Sequence, residues 1–416
     1  MRRWLVMRGF PATGLLLMLV LLVPHAILAQ DSEIEQLKAM VRDMQQQLRK
    51  ALDRIDQLEQ EKASESAKVG QIEKSVKTIQ SAPFALNPAI GMAIDATAEY
   101  LGKAGGDFNF RSAEIGISAS IDPFARGYAF FNGSKDDFEV EEAAIVTTSL
   151  PWNLQARAGR FFADFGRFPK FHPHELPVVN MPLSVERMVG GESKADGVEL
   201  SYLFPTPVFL RGILGAYNKL GAENDRLDNT KPRSWSRFTY LTRLQSYFDL
   251  TDDQSIEVGA SFAYTPSLRV PSQGPEGDRS LSGIDITYRY QPLGSTLYEG
   301  VTLGGEFFGN SERTAAGSGY RRTFAPGGYA YAEAKLNRAW SAGFLFDNAP
   351  SLSSPGKKTL SYTPFITWSL SEFNRLRFQY SFLDDQVRED KAERGNQFFL
   401  QWTTVLGSHT HGFRTR

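Results

Sequence analysis

From about residue 89 onward the chain repeats one pattern. Short runs alternate apolar and polar residues, and each run approaches the length that a tilted strand needs to cross a bilayer. Successive side chains of a strand point to opposite faces, so each run offers one apolar and one polar surface. In 373–384, Leu376, Phe378, Tyr380 and Phe382 oppose Arg375, Arg377, Gln379 and Ser381. In 279–291, Ile284, Ile286, Tyr288 and Tyr290 oppose Asp285, Thr287 and Arg289, and in 394–407, Phe398, Leu400, Trp402 and Leu406 oppose Gln397, Gln401 and Thr403. Sixteen such segments are read: 90–101, 107–121, 125–133, 138–149, 153–165, 196–204, 207–218, 237–250, 253–266, 279–291, 297–309, 323–336, 339–348, 357–370, 373–384 and 394–407.

The connections between them alternate short and long. The short ones include Asp122-Pro123, Leu150-Pro151-Trp152, Pro205-Thr206, Thr251-Asp252, Asn337-Arg338 and Ser371-Glu372. The long ones are 166–195, 219–236, 267–278, 310–322, 349–356 and 385–393. Short turns at one end and longer loops at the other are the pattern of an outer-membrane barrel, and an even strand number puts both barrel ends on the short-turn side. Aromatics cluster near the short turns (Phe124, Trp152, Phe204, Phe248, Tyr290, Trp340, Trp368, Phe373), as an interfacial girdle does. The predicted fold is an all-β transmembrane antiparallel β-barrel of about 16 strands, spanning 90–416. A β-sandwich core is the alternative use of the same aromatics.

The segments before the barrel read differently. Arg2, Arg3 and Arg8, the apolar run Leu15 to Val23 and the small Ala29 make residues 1–29 a secretory signal peptide. From Ile34, apolar residues recur in two heptad rows: Ile34, Val41, Leu48, Ile55, Val69 and Val76, and Leu37, Met44, Ala51, Leu58, Ile72 and Ile79. Lys62 and Glu65 interrupt them. The rows predict an α-helical coiled coil over 30–82 in the periplasm, with Ile34 to Ile79 extending about 70 Å at 1.5 Å per residue. β-branched residues in both rows allow a trimer. Residues 83–89 are the linker.

Composition excludes several classes. The 46 Lys+Arg against 47 Asp+Glu leave no basic excess for nucleic acid. Zero cysteine removes disulfides and thiolate chemistry. A mean hydropathy of −0.31 is incompatible with a bundle of spanning helices and compatible with alternating strands.

The polar faces carry charges of both signs: Asp95, Glu99, Glu114, Arg157, Arg211, Arg243, Glu257, Asp285, Arg289, Glu306, Glu333, Lys335, Arg375 and Arg377. Sixteen strands enclose an aqueous bore, so these residues are its candidate lining. The longest connection, 166–195, holds four prolines and the apolar Phe168, Phe171, Val178, Val179, Met181 and Leu183. Such a loop is expected to fold inward and narrow the bore, with Arg167, Lys170, His172, His174, Glu175, Glu186 and Arg187 at the constriction. An outward cap is its other use. Two H-x-H pairs, His172/His174 and His409/His411, are candidate metal ligands.

The run from Gln155 through Arg157, Gly159, Arg160, Phe161, Phe165 and Gly166 to Arg167 resembles the R-x-G-[QKR]-F-x-x-x-[FY]-G strand-to-loop motif of phosphate-selective porin O/P-type channels. A coiled coil before a sixteen-strand barrel resembles the related dicarboxylate-type and sucrose-type trimeric porins. The resemblance covers about a dozen residues plus the architecture. It implies a homotrimeric outer-membrane diffusion channel with an inward third loop. The chain departs from the phosphate-specific pattern, having no run of inward arginines and no lysine cluster, so phosphate is not carried over.

The functional expectation is an outer-membrane porin passing small hydrophilic solutes, anions among them, with the lipid bilayer and a homo-oligomer as partners and no cofactor. A metal- or siderophore-related receptor would need a plug domain where the heptads stand. A barrel enzyme would need a positioned nucleophile or base, and no G-x-S-x-G is present. A structural envelope tether is the third alternative.

Overall fold

The structure, a computed structural model, describes residues 88–221, 234–268, 277–292, 299–316, 319–387 and 395–407, together with Gln46, Arg49 and Lys50. The chain divides into two units, Met1–Ala85 and Leu86–Arg416. In the first, the three described residues are helical and exposed. The signal peptide, both heptad rows and the tail pair His409/His411 lie outside the described residues.

The second unit is one closed sheet of sixteen antiparallel strands. They are β1 (Ala89–Leu101), β2 (Gly106–Ser120), β3 (Ala125–Gly133), β4 (Phe138–Thr147), β5 (Leu154–Phe162), β6 (Lys194–Leu203), β7 (Phe209–Tyr217) and β8 (Thr239–Thr251), then β9 (Gln254–Leu268), β10 (Gly277–Tyr290), β11 (Gly300–Ala316), β12 (Gly319–Lys335), β13 (Trp340–Pro350), β14 (Lys358–Ser369), β15 (Asn374–Asp385) and β16 (Gly395–Gly407). Each pairs with its neighbour in the chain, and β16 closes on β1 with Gly91 opposite Gly407 and Leu101 opposite Gln397. Closure leaves no unpaired edge, which is the requirement of a sheet placed in hydrocarbon.

Burial is inverted relative to a water-soluble core. On β10, Ile284 is 63% exposed while Asp285 beside it is 2% exposed. On β15, Phe378 and Phe382 are exposed and Arg377, Gln379 and Ser381 are buried; on β16, Phe398, Leu400 and Trp402 are exposed and Gln401 and Thr403 are buried. The period-2 pattern therefore has its apolar face outward, and a sandwich core is excluded. Near the short turns Phe124, Trp152, Trp340, Trp368 and Phe373 are exposed, and the indoles of Trp340 and Trp368 stack at 5.8 Å. That belt matches an interfacial girdle.

One expected connection is absent. Residues 310–322 do not form a long loop: β11 and β12 keep their register from Asn310 opposite Ala325 to Ala316 opposite Gly319. The polar residues there continue the ladder as a hairpin, because backbone pairing needs no apolar face. The connections 102–105 and 134–137 are also short, so long loops at that end are confined to certain hairpins.

Inside the barrel lies an apolar cluster formed by the connection between β5 and β6. Phe165, Phe168, Leu176, Val178, Met181, Val185, Met188 and Val189 are buried against Phe130, Phe308, Tyr329, Tyr331 and Phe365 of the wall. Two wall rings rest over glycines of the adjacent strand: a Cβ at Gly116 would collide with Phe130, and one at Gly343 with Phe365.

The exposed outer face yields a direct test. Ile284→Arg should destabilise the barrel by about 2–4 kcal/mol in phospholipid vesicles, measured by urea titration. A change within about 0.5 kcal/mol, the usual effect at a water-facing site, would show that this face does not meet lipid.

Candidate functional site: the bore and its inner loop

The motif singled out in the sequence makes the turn into the bore. Phe161 packs edge-on against Tyr217 at 6.1 Å, and Phe165 stacks with Phe308 at 6.2 Å. Between strand and loop, Gly166 has φ +64°, a left-handed conformation that glycine takes without steric cost. A Cβ there would also strike the Glu306 carboxylate. The turn delivers two consecutive N–H groups to that carboxylate: Arg167 N–H donates to Oε2 at 2.9 Å and Phe168 N–H to Oε1 at 2.6 Å. Phe168 then lies against Tyr329 at 4.5 Å and Tyr331 at 5.0 Å.

From there the loop is tied to strands all round the barrel. Val179 N–H donates to Gln379 Oε1 at 2.7 Å, and Arg377 donates to the Val178 carbonyl at 3.0 Å, both from β15. Arg111 of β2 donates to the Val179 carbonyl at 2.7 Å. A short helix, α1 (Leu183–Val189), follows Pro182; Ser184 N–H donates to Asp347 of β13 at 3.1 Å and Arg187 to the Ala349 carbonyl at 2.8 Å. Arg279 of β10 donates to the Met188 carbonyl. The loop closes on itself where Ser193 N–H donates to the Pro169 carbonyl at 2.6 Å. A segment without regular pairing has orphan backbone groups, and here wall side chains satisfy many of them.

The predicted basic residues fall into two groups. Arg157, Arg167, Lys170 and Arg211 line one polar cavity with Asp164, Glu199 and Glu257. Each is paired: Arg157 with Glu199, Arg167 with Glu257 at 2.7 Å, Lys170 with Asp164 at 2.7 Å, and Arg211 with Asp164 at 2.6 Å. Arg289 stands 3.4 Å from the same Glu257. Arg243 and Arg377 of the second group are buried and do not face open water. Arg243 makes a two-pronged pair with Asp285 at 2.6 and 3.0 Å, and Arg377 also donates to Gln401 at 3.1 Å. Arg375 is half-buried on the same strand. Arg187 and Glu175 serve the loop itself; Glu175 Oε2 accepts the His172 N–H at 3.3 Å.

His172 is the largest departure from expectation. It is fully buried, not at the lumen surface, with Nδ1 3.0 Å from Glu114 and 3.2 Å from Glu141. His174 lies beside it, ring centroids 5.6 Å apart, and is also buried. Strict alternation would send only one of the adjacent Glu141 and Glu142 inward. A register shift between Phe130 and Phe131 leaves Glu141 without a paired position opposite it, and both carboxylates point inward. Neither was foreseen, because a bulge carries no signature in hydrophobic period.

Electrostatics hold the loop. Burial alone would push the Asp164 carboxyl up, but Lys170, Arg211 and Arg243 hold it well below the usual carboxylate range. Burial pushes the Lys170 ammonium down, opposed by Asp164.

No protein-family model matches the chain. An uncharacterized protein of Aquifex aeolicus is 29% identical over 334 residues, covering 73% of this chain and 69% of that one. Among solved structures, the barrel is similar to an anion-selective porin from Comamonas acidovorans, with TM-score 0.52 and 11% identity over 77% of this chain and 99% of that one. It is similar to the outer membrane channel DcaP of Acinetobacter baumannii, with TM-score 0.53 and 9% identity over 77% and 97%. The fold is that of the sixteen-stranded outer-membrane porins. At such identities the likeness is one of fold, and it reaches this barrel type in general, not its phosphate-selective or dicarboxylate branch.

The depressed Asp164 fixes a sign. Its pairing contributes stability above the ordinary carboxylate range and loses it as pH falls through the lowered value. Asp164→Asn should cost about 3 kcal/mol at neutral pH, the scale of breaking a buried pair, and should flatten the acid limb of the melting-temperature profile. An unchanged acid limb would remove Asp164 from that role.

Proposed function

We infer that the chain is an outer-membrane porin, a passive diffusion channel for small hydrophilic solutes, anions among them, whose bore is narrowed by the loop 166–195. One observation carries this reading: charged side chains are enclosed while large apolar side chains are exposed around the barrel, as at Asp285 and Ile284. That inversion suits a wet interior and an apolar exterior, and sixteen strands suffice for an aqueous bore. The loop's ties to β2, β10, β13 and β15 support its place across the lumen. The solute path then runs past the cavity where Arg157, Arg167, Lys170 and Arg211 meet Asp164, Glu199 and Glu257. Paired charges of both signs orient hydrated solutes without a strong field, and the small basic excess leans toward anions.

The remaining parts follow the same reading. Residues 1–29 direct export, residues 30–82 form a periplasmic coiled coil, and chains associate as a homotrimer through that segment and the barrel wall. No catalytic step belongs to this reading.

Purified protein in planar bilayers should give stepwise ion currents. Replacing 172–187 with a short Gly-Ser link should raise unit conductance several-fold, and Arg211→Glu should move the reversal potential in asymmetric salt toward cations. A folded protein that stays silent would overturn the channel reading in favour of an anchor or a plugged receptor. Conductance unchanged by the replacement would place the narrowing elsewhere.

A further inference from the structure

We propose that Glu114, Glu141 and His172 form a site for a divalent transition metal of the zinc type, which clasps the inner loop to β2 and β4. The three come from separate segments: Glu114 from the inward face of β2, Glu141 from the bulge of β4, and His172 from the loop. Pro173 follows His172 and opens the one-turn helix that His172 caps.

Their geometry is that of a ligand set. The donor atoms of all three lie within 4.8 Å of one another, with Nδ1 of His172 3.0 Å from Glu114 Oε2 and 3.2 Å from Glu141 Oε2. Bonds of about 2.0–2.2 Å to zinc give tetrahedral edges of roughly 3.3–3.6 Å, so small shifts of these side chains admit the ion. The other ring nitrogen is held by a third carboxylate. Nε2 lies 3.3 Å from Glu142 Oε1, while Glu142 Oε2 accepts the Phe162 N–H at 3.1 Å. Metal-binding histidines characteristically give their second N–H to a carboxylate held in this way. With Nε2 at Glu142, Nδ1 faces the Glu114 and Glu141 oxygens, and the position between them takes either a proton or a metal cation.

Charge and surroundings agree. Two carboxylates neutralise a dication, and a neutral imidazole adds a borderline donor, a set suited to Zn²⁺ and poor for Ca²⁺, which takes six to eight oxygens. Glu114, Glu141 and His172 are each at most 1% exposed, and the rings of Phe162 and Phe130 flank the imidazole at 4.5 and 5.9 Å. A polar cavity of about 460 Å³ that reaches Glu114 and His174 provides an entry path. His174 Nδ1 lies 3.7 Å from Glu114 Oε2, at the border of the same cavity. The competing occupant is a proton, leaving an imidazolium among carboxylates.

The test uses full-length protein folded in detergent, stripped with chelator and titrated with Zn²⁺ by calorimetry and with Co²⁺ by visible absorption. The expected result is one equivalent per chain, with X-ray absorption of the zinc form showing nitrogen and oxygen ligands at about 2.0–2.2 Å. His172→Ala should abolish it, Glu142→Gln should weaken it about 10–100-fold, and the double change His409→Ala with His411→Ala should leave it intact. Heat-modifiable gel migration reports whether each variant keeps its barrel. Should His172→Ala not fold, Glu142→Gln and the wild-type spectrum decide. Wild-type protein that takes up neither metal, or binding that survives in folded His172→Ala, overturns the proposal in favour of the ion-pair cluster.

Discussion

A sheet surrounded by hydrocarbon has no water to satisfy its edge, so every strand must find two neighbours. Closure of β16 on β1 answers that constraint, and much else here follows from it. A closed sheet has only two faces. Once the outer one is apolar, charged residues such as Asp285, Arg243 and Arg377 are committed to the interior. The interior must then hold them, either in water or paired. Both occur: the cavity beside Arg211 and Asp164 is polar and partly open, whereas Arg243 and Asp285 are enclosed.

The inner loop fits the same frame. It brings apolar side chains into a polar cylinder, so it needs an apolar patch to receive them. The wall supplies one, with Phe308, Tyr329, Tyr331 and Phe365 facing inward among otherwise polar positions. Burying a large side chain such as Phe168 contributes about 1.5–3 kcal/mol. Backbone groups of the loop would offset that gain if left unsatisfied. Glu306, Gln379, Arg377, Asp347 and Arg111 prevent this by bonding its N–H and C=O groups directly. The charged residues inside the barrel therefore serve two roles, some bordering the polar cavity and others holding the inner loop.

Much of the barrel was legible because its signal is local. Side-chain alternation is a property of each strand alone, and the spans read for β3, β10 and β15 fall within a few residues of the observed ones. The loop was legible as an apolar, proline-rich insertion too long for a turn. Less legible was the extent of β11 and β12, where polar residues continue a ladder that backbone pairing sustains. The burial of His172 was not legible at all. It depends on Glu114, twenty-seven residues before Glu141 in the chain, and on a bulge that turns Glu141 inward beside Glu142.

The sequence by itself determined the alternation, the strand number, the polarity of the two faces and the presence of a foreign apolar insertion, since each is written in neighbouring residues. Only the tertiary structure decided which charges border the polar cavity and which lie buried, and which acids gather round an imidazole. Those outcomes depend on closure of the sheet, which sets distant strands face to face across the lumen, and on a single inserted residue that rotates one carboxylate to the inside. Neither has a counterpart in local pattern.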